Sequence, residues 1–285
     1  MAEREIITSK QNKLVVLASK LADRKHRDAE SLFVLDGVKL FAEAVMCGIE
    51  MPYIFVNVEK ESAIAAKLEE LGVSDAKACL KNAIRTNESV FLKISQEKSP
   101  EGIISIARYI DKLHKIITIN KRDIFSLPAD AVASASESVM MLESVRDPGN
   151  LGTIIRSAYA LGIDRLVLSL DCADIYHPRT VRAAMGTLFR MRIDRCRELP
   201  SLILAYRNSG RRVLGSALDK SATTLSAAGL SAADIVVIGN EGHGISDEVR
   251  LACEGCIYIP MAENAESLNA AMASTIFAWE IGKSK

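Results

Sequence analysis

Polar side chains able to do chemistry gather in three short stretches of the second half of this 285-residue chain. The first is Asp147-Pro148-Gly149-Asn150-Leu151-Gly152, with Arg156 following. The second is Gly239-Asn240-Glu241-Gly242-His243-Gly244. The third runs from Ile259-Pro260-Met261 to Ser267-Leu268-Asn269. Glycines let backbone N–H and C=O groups approach a ligand closely. A guanidinium, a carboxylate, amides and a hydroxyl can together bind an anion and orient a reacting hydroxyl. Arg156 lies one helical turn beyond Gly152, so its side chain can return toward that loop. Taken singly, each residue has an ordinary use. Asn150 and Asn240 suit turns, Glu241 suits a solvated loop, Arg156 suits a helix surface or a pair with Asp147, and Ser267 suits a helix cap. His243 has no Ser or Cys motif that would make it a catalytic base. Only convergence of the three stretches makes a site.

An open parallel sheet supplies that convergence, because the loops after its strands gather on one edge. The apolar runs SVMMLESV, RLVLSL, RVLGSAL, DIVVIGN and CIYIP predict strands, and TIIRSAYALG, RTVRAAMGTLF, SLILAYRNSG, SDEVRLAC and SLNAAMASTIFAWEIGK predict helices between and after them. Ser246 and Ser267 are the expected caps of the last two helices. The first part repeats the strand and helix alternation on a smaller scale: LFVLDG, YIFVN and GIISIAR as strands, VKLFAEAVMCG and ESAIAAKLEELG as helices. The expected organisation is a small α/β domain over 1–107, a connector over 108–137 and a larger α/β domain over 138–285.

Residues 9–27 predict one helix with an apolar face and a basic face holding Lys10, Lys13, Lys20, Arg24, Lys25 and Arg27. A second basic run holds Arg179, Arg182, Arg190, Arg192, Arg195 and Arg197. Both could be solvated faces or phosphate contacts. The formal net charge is zero, so overall charge gives no argument for nucleic acid. No apolar run reaches the roughly 18 to 20 residues of a membrane span, and the charged start lacks a signal-peptide core; a cytoplasmic protein without membrane contact is expected. Cys253 and Cys256 have metal-like spacing, but no second Cys or His pair adjoins them, and a zinc site needs four ligands. No metal is expected, and the two read as buried or half-buried thiols.

A dinucleotide site is the rival reading of the first stretch, with Asp171 placed for a ribose. Its glycines run G-x-x-G rather than G-x-G-x-x-G, and the reading gives the other two stretches no work. P-loop and G-x-S-x-G patterns are absent.

DPGNLGTIIRSA, AAMGTLFRM, IGNEGHGIS and IPMAENAESLNAAMA, in that order, resemble the motifs of the SpoU/TrmH family of RNA ribose 2′-O-methyltransferases, within the SPOUT superfamily. SKQN, VLDGVKLFAEA and SPEGIISIA are similar to that family's L30e-like RNA-binding domain. Asp36 stands where the family more often has Glu, His243 where it often has Lys or Arg, and the acidic spacer AENAE is longer than in some members. The resemblance implies an α/β protein with a C-terminal SPOUT domain, parallel-sheeted and closed by a trefoil knot. It also implies S-adenosyl-L-methionine as cofactor and a homodimer whose interface adjoins the cofactor. The knot runs against the general rule that chains are unknotted.

The implied reaction is methylation of a ribose 2′-hydroxyl in structured RNA, with 23S ribosomal RNA ahead of tRNA as substrate. A non-catalytic RNA-binding member of the fold is the alternative. Arg156 is the implied catalytic residue, with Asn150 orienting it or the ribose, Glu241 pairing with it or another cation, and Ser267 and Asn269 positioning the ribose or phosphate. Gly239, Asn240, Ile259, Met261 and Leu268 are implied to hold the cofactor. Lys10, Lys13, Arg24, Lys25, Arg27 and Arg182 are the foremost candidates to meet RNA, with Glu263 and Glu266 expected to point away from its phosphates.

Overall fold

The computed structural model describes residues 5–110, 113, 116–119, 137–217, 221–262 and 267–283. Most of the connector expected over 108–137, and the acidic spacer with Glu263 and Glu266, lie outside the described residues. Two compact units emerge: one runs to Ile110 and also takes in Asp174–Arg190, and the other comprises Asp111–Ala173 and Met191–Lys285.

The first unit has a four-stranded sheet in the order β1-β4-β2-β3, with β1 Leu32–Asp36, β2 Tyr53–Asn57, β3 Ile84–Thr86 and β4 Ile103–Arg108. β4 runs antiparallel to both neighbours, and β2 and β3 run parallel. Val34, Phe55, Phe91, Ile104 and Ile106 pack on one core, and Phe41, Val56, Ile64, Leu68 and Ile103 on another. The single helix expected over 9–27 is two, Lys13–Lys20 and Arg24–Glu30. Asp23 separates them, because its carboxylate caps the second by accepting from Lys25 N at 2.9 Å. SVFLKIS is helical over Glu88–Ile94, capped by Asn87.

The second unit is built on an eight-stranded sheet in the order β10-β12-β9-β11-β6-β7-β8-β5. The strands are β5 Ile116–Ile117, β6 Val139–Leu142, β7 Arg165–Ser169, β8 Arg192–Cys196, β9 Val213–Ser216, β10 Thr223–Thr224, β11 Ile235–Ile238 and β12 Gly255–Tyr258. Every pairing is parallel. β6, β7 and β11 are buried along their whole lengths, as expected of a parallel sheet with helices on both faces; β6 and β11 are unbroken apolar runs, and β7 adds the buried Arg165. β8 breaks that rule. Arg192 and Arg195 of the second basic run lie in this strand, with Asp194 between them 1% exposed and bonded to the fully buried Arg165 Nε at 2.5 Å. Buried charges are tolerated when paired in this way.

β6 and β11 are neighbours, with Leu142 beside Ile238, and β9 separates β11 from β12. The carboxyl ends of β6, β11 and β12 therefore lie on one edge, and those ends carry the three polar stretches.

Candidate active site

DPGNLG is not a free loop. Asp147 caps the helix Pro148–Ala160 by accepting from Asn150 N at 2.8 Å, and Pro148 occupies its first turn, where a missing N–H costs nothing. Asn150 thus stands in the opening turn of a rigid helix. Its side-chain amide donates to Glu241 Oε1 at 2.9 Å, and its Oδ1 accepts from Asn269 Nδ2 at 3.0 Å. One residue from each polar stretch is therefore tied to the others through Asn150.

GNEGHG folds back on itself. Asn240 and Gly244 exchange both backbone hydrogen bonds at 2.9 Å. Asn240 Oδ1 accepts from Gly242 N at 2.8 Å and His243 N at 3.3 Å, while Asn240 Nδ2 donates to Ser144 O at 2.8 Å and to Glu241 Oε2 at 3.4 Å. Asn240 thereby shapes its own loop and fastens it to the chain after β6. Gly239 is required by that fold, because a Cβ there would lie 2.1 Å from Gly244 C. Gly244 has φ +69°, a left-handed conformation natural to glycine.

Two supporting groups had no signal in the sequence. Ser144 holds φ +55°, rare for a residue with a side chain. Its N–H donates to Ser169 Oγ at 2.9 Å, its hydroxyl bonds Asp171, and its carbonyl takes Asn240. Burial works to raise the Asp171 pKa, but the Ser144 and Ser169 hydroxyls and Arg146 win and hold it below the usual carboxylate range. Asp171 is thus committed to its neighbours rather than placed for a ribose. Glu143 accepts from Ser246 N at 2.8 Å and Ser246 Oγ at 2.6 Å, pinning the residue that caps the helix Asp247–Ala252.

The second and third stretches line a cavity of about 470 Å³, within the size range of small-molecule sites. Gly239, Asn240, Ile259, Met261 and Leu268 all line it, as do Glu241 and Ser267; Ser216 and Ala217 close it at the end of β9. Met261 and Leu268 line it and make no backbone hydrogen bond to another described residue, which leaves their N–H and C=O groups available to a ligand. Apolar walls with open backbone donors and acceptors at their rim suit a flat heterocycle that carries polar edges.

Arg156, Asn150 and Asn269 do not line the cavity. Arg156 is exposed on the helix of Asn150 and makes no hydrogen bond or ion pair among the described residues. The expected pair between Glu241 and Arg156 is not formed, because Asn150 and Asn240 occupy the Glu241 carboxylate. Ser267 is not the cap of the last helix. That helix spans Ala270–Gly282, and Asn269 caps it by accepting from Ala271 N at 2.9 Å.

The basic residues divide. Lys10, Lys13, Arg24 and Lys25 are exposed. Arg27 is 1% exposed and spends its guanidinium on Asp174 at 2.7 Å and on the carbonyls of Leu21 and Ala22, which corrects its expected role as a phosphate contact. Arg182 is exposed but pairs with Glu97. Arg190, Arg192 and Arg195 are held by Glu43, Glu137 and the Leu170 carbonyl. Cys253 and Cys256 form no disulfide, the first buried and the second half-buried. Burial pushes the Cys253 thiol up to about 12. No cluster of three or more potential metal ligands occurs among the described residues.

The profile of the SpoU rRNA methylase family matches residues 137–279, and that of the MRM3-like substrate binding domain matches residues 12–105. The chain is 28% identical over 277 residues to the 23S rRNA (guanosine(2553)-2′-O)-methyltransferase RlmP of Bacillus subtilis, covering 96% of this chain and 98% of that one. It is 34% identical over 145 residues to the 23S rRNA (uridine(2479)-2′-O)-methyltransferase of Streptomyces viridochromogenes, covering half of each. The crystal structure of the AdoMet-bound rRNA methyltransferase from Sinorhizobium meliloti superposes with a TM-score of 0.74 at 28% identity, covering 97% of this chain and 96% of that one.

Proposed function

Since this chain belongs to the SpoU rRNA methylase family, we propose that it uses S-adenosyl-L-methionine to methylate a ribose 2′-hydroxyl in ribosomal RNA, with 23S RNA first. The observation that carries this reading is the cavity itself. Its lining includes all five residues expected to hold the cofactor, and Asn150 ties its rim together. The RNA substrate follows the relatives matched along nearly the whole chain.

The cofactor, when bound, supplies a methyl carbon made electrophilic by a sulfonium. Ile238, Ile259, Met261 and Leu268 wall the adenosyl portion, with the open backbone groups of Met261 and Leu268 at its edges. Asn150, locked between Glu241 and Asn269, orients the ribose, and Ser267 meets its hydroxyl or phosphate. Holding the two reactants in line supplies much of the rate enhancement. Arg156 projects free from the same helix as Asn150. A guanidinium with a pKa above about 12 is a poor base, so Arg156 steadies the phosphate and the negative charge that develops on the 2′-oxygen. Lys10, Lys13, Arg24 and Lys25 meet RNA phosphates.

The reading carries with it a knotted C-terminal path, a cytoplasmic location and a homodimer. Met272 and Trp279 on the last helix are 57% and 59% exposed, and Leu268 of the cavity rim is exposed as well, which supports a partner subunit on that helix. No helix among the described residues is long and apolar enough to cross a membrane. A thermal-shift panel tests the cofactor. S-adenosylmethionine and S-adenosylhomocysteine should raise the melting temperature, since a ligand at 100 times its Kd adds about 2.7 kcal/mol. Stabilisation by NAD instead would overturn the reading.

A further inference from the structure

The first unit has a cavity of its own, of about 260 Å³. Its apolar walls are Val34, Leu40 and Pro178, and its polar groups include Asp36, Arg179 and Arg182. Asp36 ends β1. Its Oδ2 accepts from Ser95 Oγ at 2.6 Å, but its Oδ1 is buried and has no hydrogen-bond partner among the described residues. Leaving a buried carboxylate oxygen without a donor costs on the order of 1–3 kcal/mol or more. Such a group marks a place where a donor arrives from outside. Burial raises the Asp36 pKa, outweighing the lowering effects of the Ser95 hydroxyl, the Gln96 backbone and the Arg182 charge. Arg182, held by Glu97 on the same cavity wall, contributes a guanidinium.

The size and chemistry narrow the occupant. A volume of about 260 Å³ is just below the range of roughly 300 to 1,000 Å³ for whole drug-sized ligands, which suits a single flat ring system. Apolar walls would cover its faces, and a carboxylate and guanidinium would read its edge. RNA-binding proteins recognise splayed bases in this way, through stacking and hydrogen bonds to the Watson–Crick edge. Among the four bases, only guanine sets an imino and an amino N–H side by side to face one carboxylate. Its O6 lies next to them as an acceptor, and arginine is its usual partner there. We infer that this cavity binds one unstacked guanine of the RNA substrate, with Asp36 accepting from its N1–H and N2–H groups and Arg182 reaching O6. The inference rests on the proposed RNA substrate and concerns recognition, not methyl transfer.

Fluorescence anisotropy with labelled pentauridine, and with the same oligomer carrying a central G, C or A, tests it on the full chain. The G-containing oligomer should bind about tenfold tighter than pentauridine, and Asp36→Asn should reduce that preference below twofold. Equal binding of all four oligomers, or an undiminished preference in Asp36→Asn, overturns the inference. Asparagine keeps an acceptor for Ser95. Should the variant not fold, Arg182→Gln, at a side chain 64% exposed, must cut the preference to about threefold, and an unchanged preference there also overturns it. Methyl transfer is measured separately on the unaltered chain. Transfer to RNA without a guanine preference sinks this inference alone. Absence of both RNA binding and transfer sinks the functional reading with it.

Discussion

Asn150 donates its side-chain amide to Glu241 at 2.9 Å across 91 positions of sequence. The bond joins the opening turn of one helix to the loop after β11, and the Asn150 carbonyl oxygen continues the link to Asn269. Asn150→Ala breaks both contacts at once. Because the group is at the surface, stability should change by no more than about 1 kcal/mol, while kcat/KM falls at least tenfold. Glu241→Gln retains an acceptor for Asn150 and should stay within about threefold of the unaltered chain. Steady-state methyl transfer by both variants checks the contrast. Equal losses would mean that the Glu241 charge matters, not its bond.

Gly239 and Gly242 lie in one loop but face different constraints. A Cβ at Gly239 would sit 2.1 Å from a backbone carbon of Gly244, whereas at Gly242 its nearest neighbour is Asn240 Oδ1 at 3.5 Å. Gly239→Ala should abolish measurable cofactor binding and lower the melting temperature. Gly242→Ala should leave both nearly unchanged. Calorimetric titration with S-adenosylmethionine, alongside thermal melts, separates them.

Arg27 and Lys13 have similar chemistry and opposite settings. Arg27→Ala leaves the buried side of its pair with Asp174 uncompensated, a change worth about 3–5 kcal/mol, visible in urea unfolding. Lys13→Ala removes an exposed charge and should alter stability by less than about 0.5 kcal/mol. Its effect belongs to RNA binding, where the slope of log affinity against log salt should fall by about one.

Burial raises the pKa of Asp36 in the folded chain above its unfolded value. The stabilisation this gives is fully present below the unfolded pKa of about 3.9 and is lost as pH rises through the folded value. At pH 7 the carboxylate is therefore a burden, and Asp36→Asn should melt at the same or a higher temperature than the unaltered chain. That difference should shrink as pH is lowered toward 4. Melts at pH 7 and pH 4.5 check the sign; a variant markedly less stable at pH 7 would mean that the charge supports the fold.

The parallel sheet and the three polar stretches were readable because both rest on local patterns: apolar runs broken by glycine, with a helical period after each. Local chemistry also held the start of the helix Pro148–Ala160, since an Asp cap followed by proline is a helix signal even when two glycines follow. Gly149 and Gly152 therefore lie inside that helix rather than in a loop before it. Similarly, Asn269 caps the last helix in place of Ser267 because two potential caps stood two residues apart. β8 was hidden by its charges, which make sense only once Asp194 is seen beside buried Arg165. The work of Asn240 was out of reach altogether. Its partner Ser144 lies 96 residues away and is held in a left-handed turn by Ser169 and Asp171. A sequence pattern carries no trace of such a contact.

In the proposed mechanism Arg156 acts beside a cavity that holds the methyl donor. The most direct test is transfer of labelled methyl from S-adenosylmethionine to unmodified 23S ribosomal RNA, with mapping of the methylated position, for the unaltered chain and for Arg156→Ala. Label should appear on a ribose 2′-oxygen with the unaltered chain. Arg156→Ala should lower that transfer by about 100- to 1,000-fold while cofactor affinity and melting temperature stay the same. Label on a base, no transfer to RNA at all, or full transfer by Arg156→Ala would contradict it.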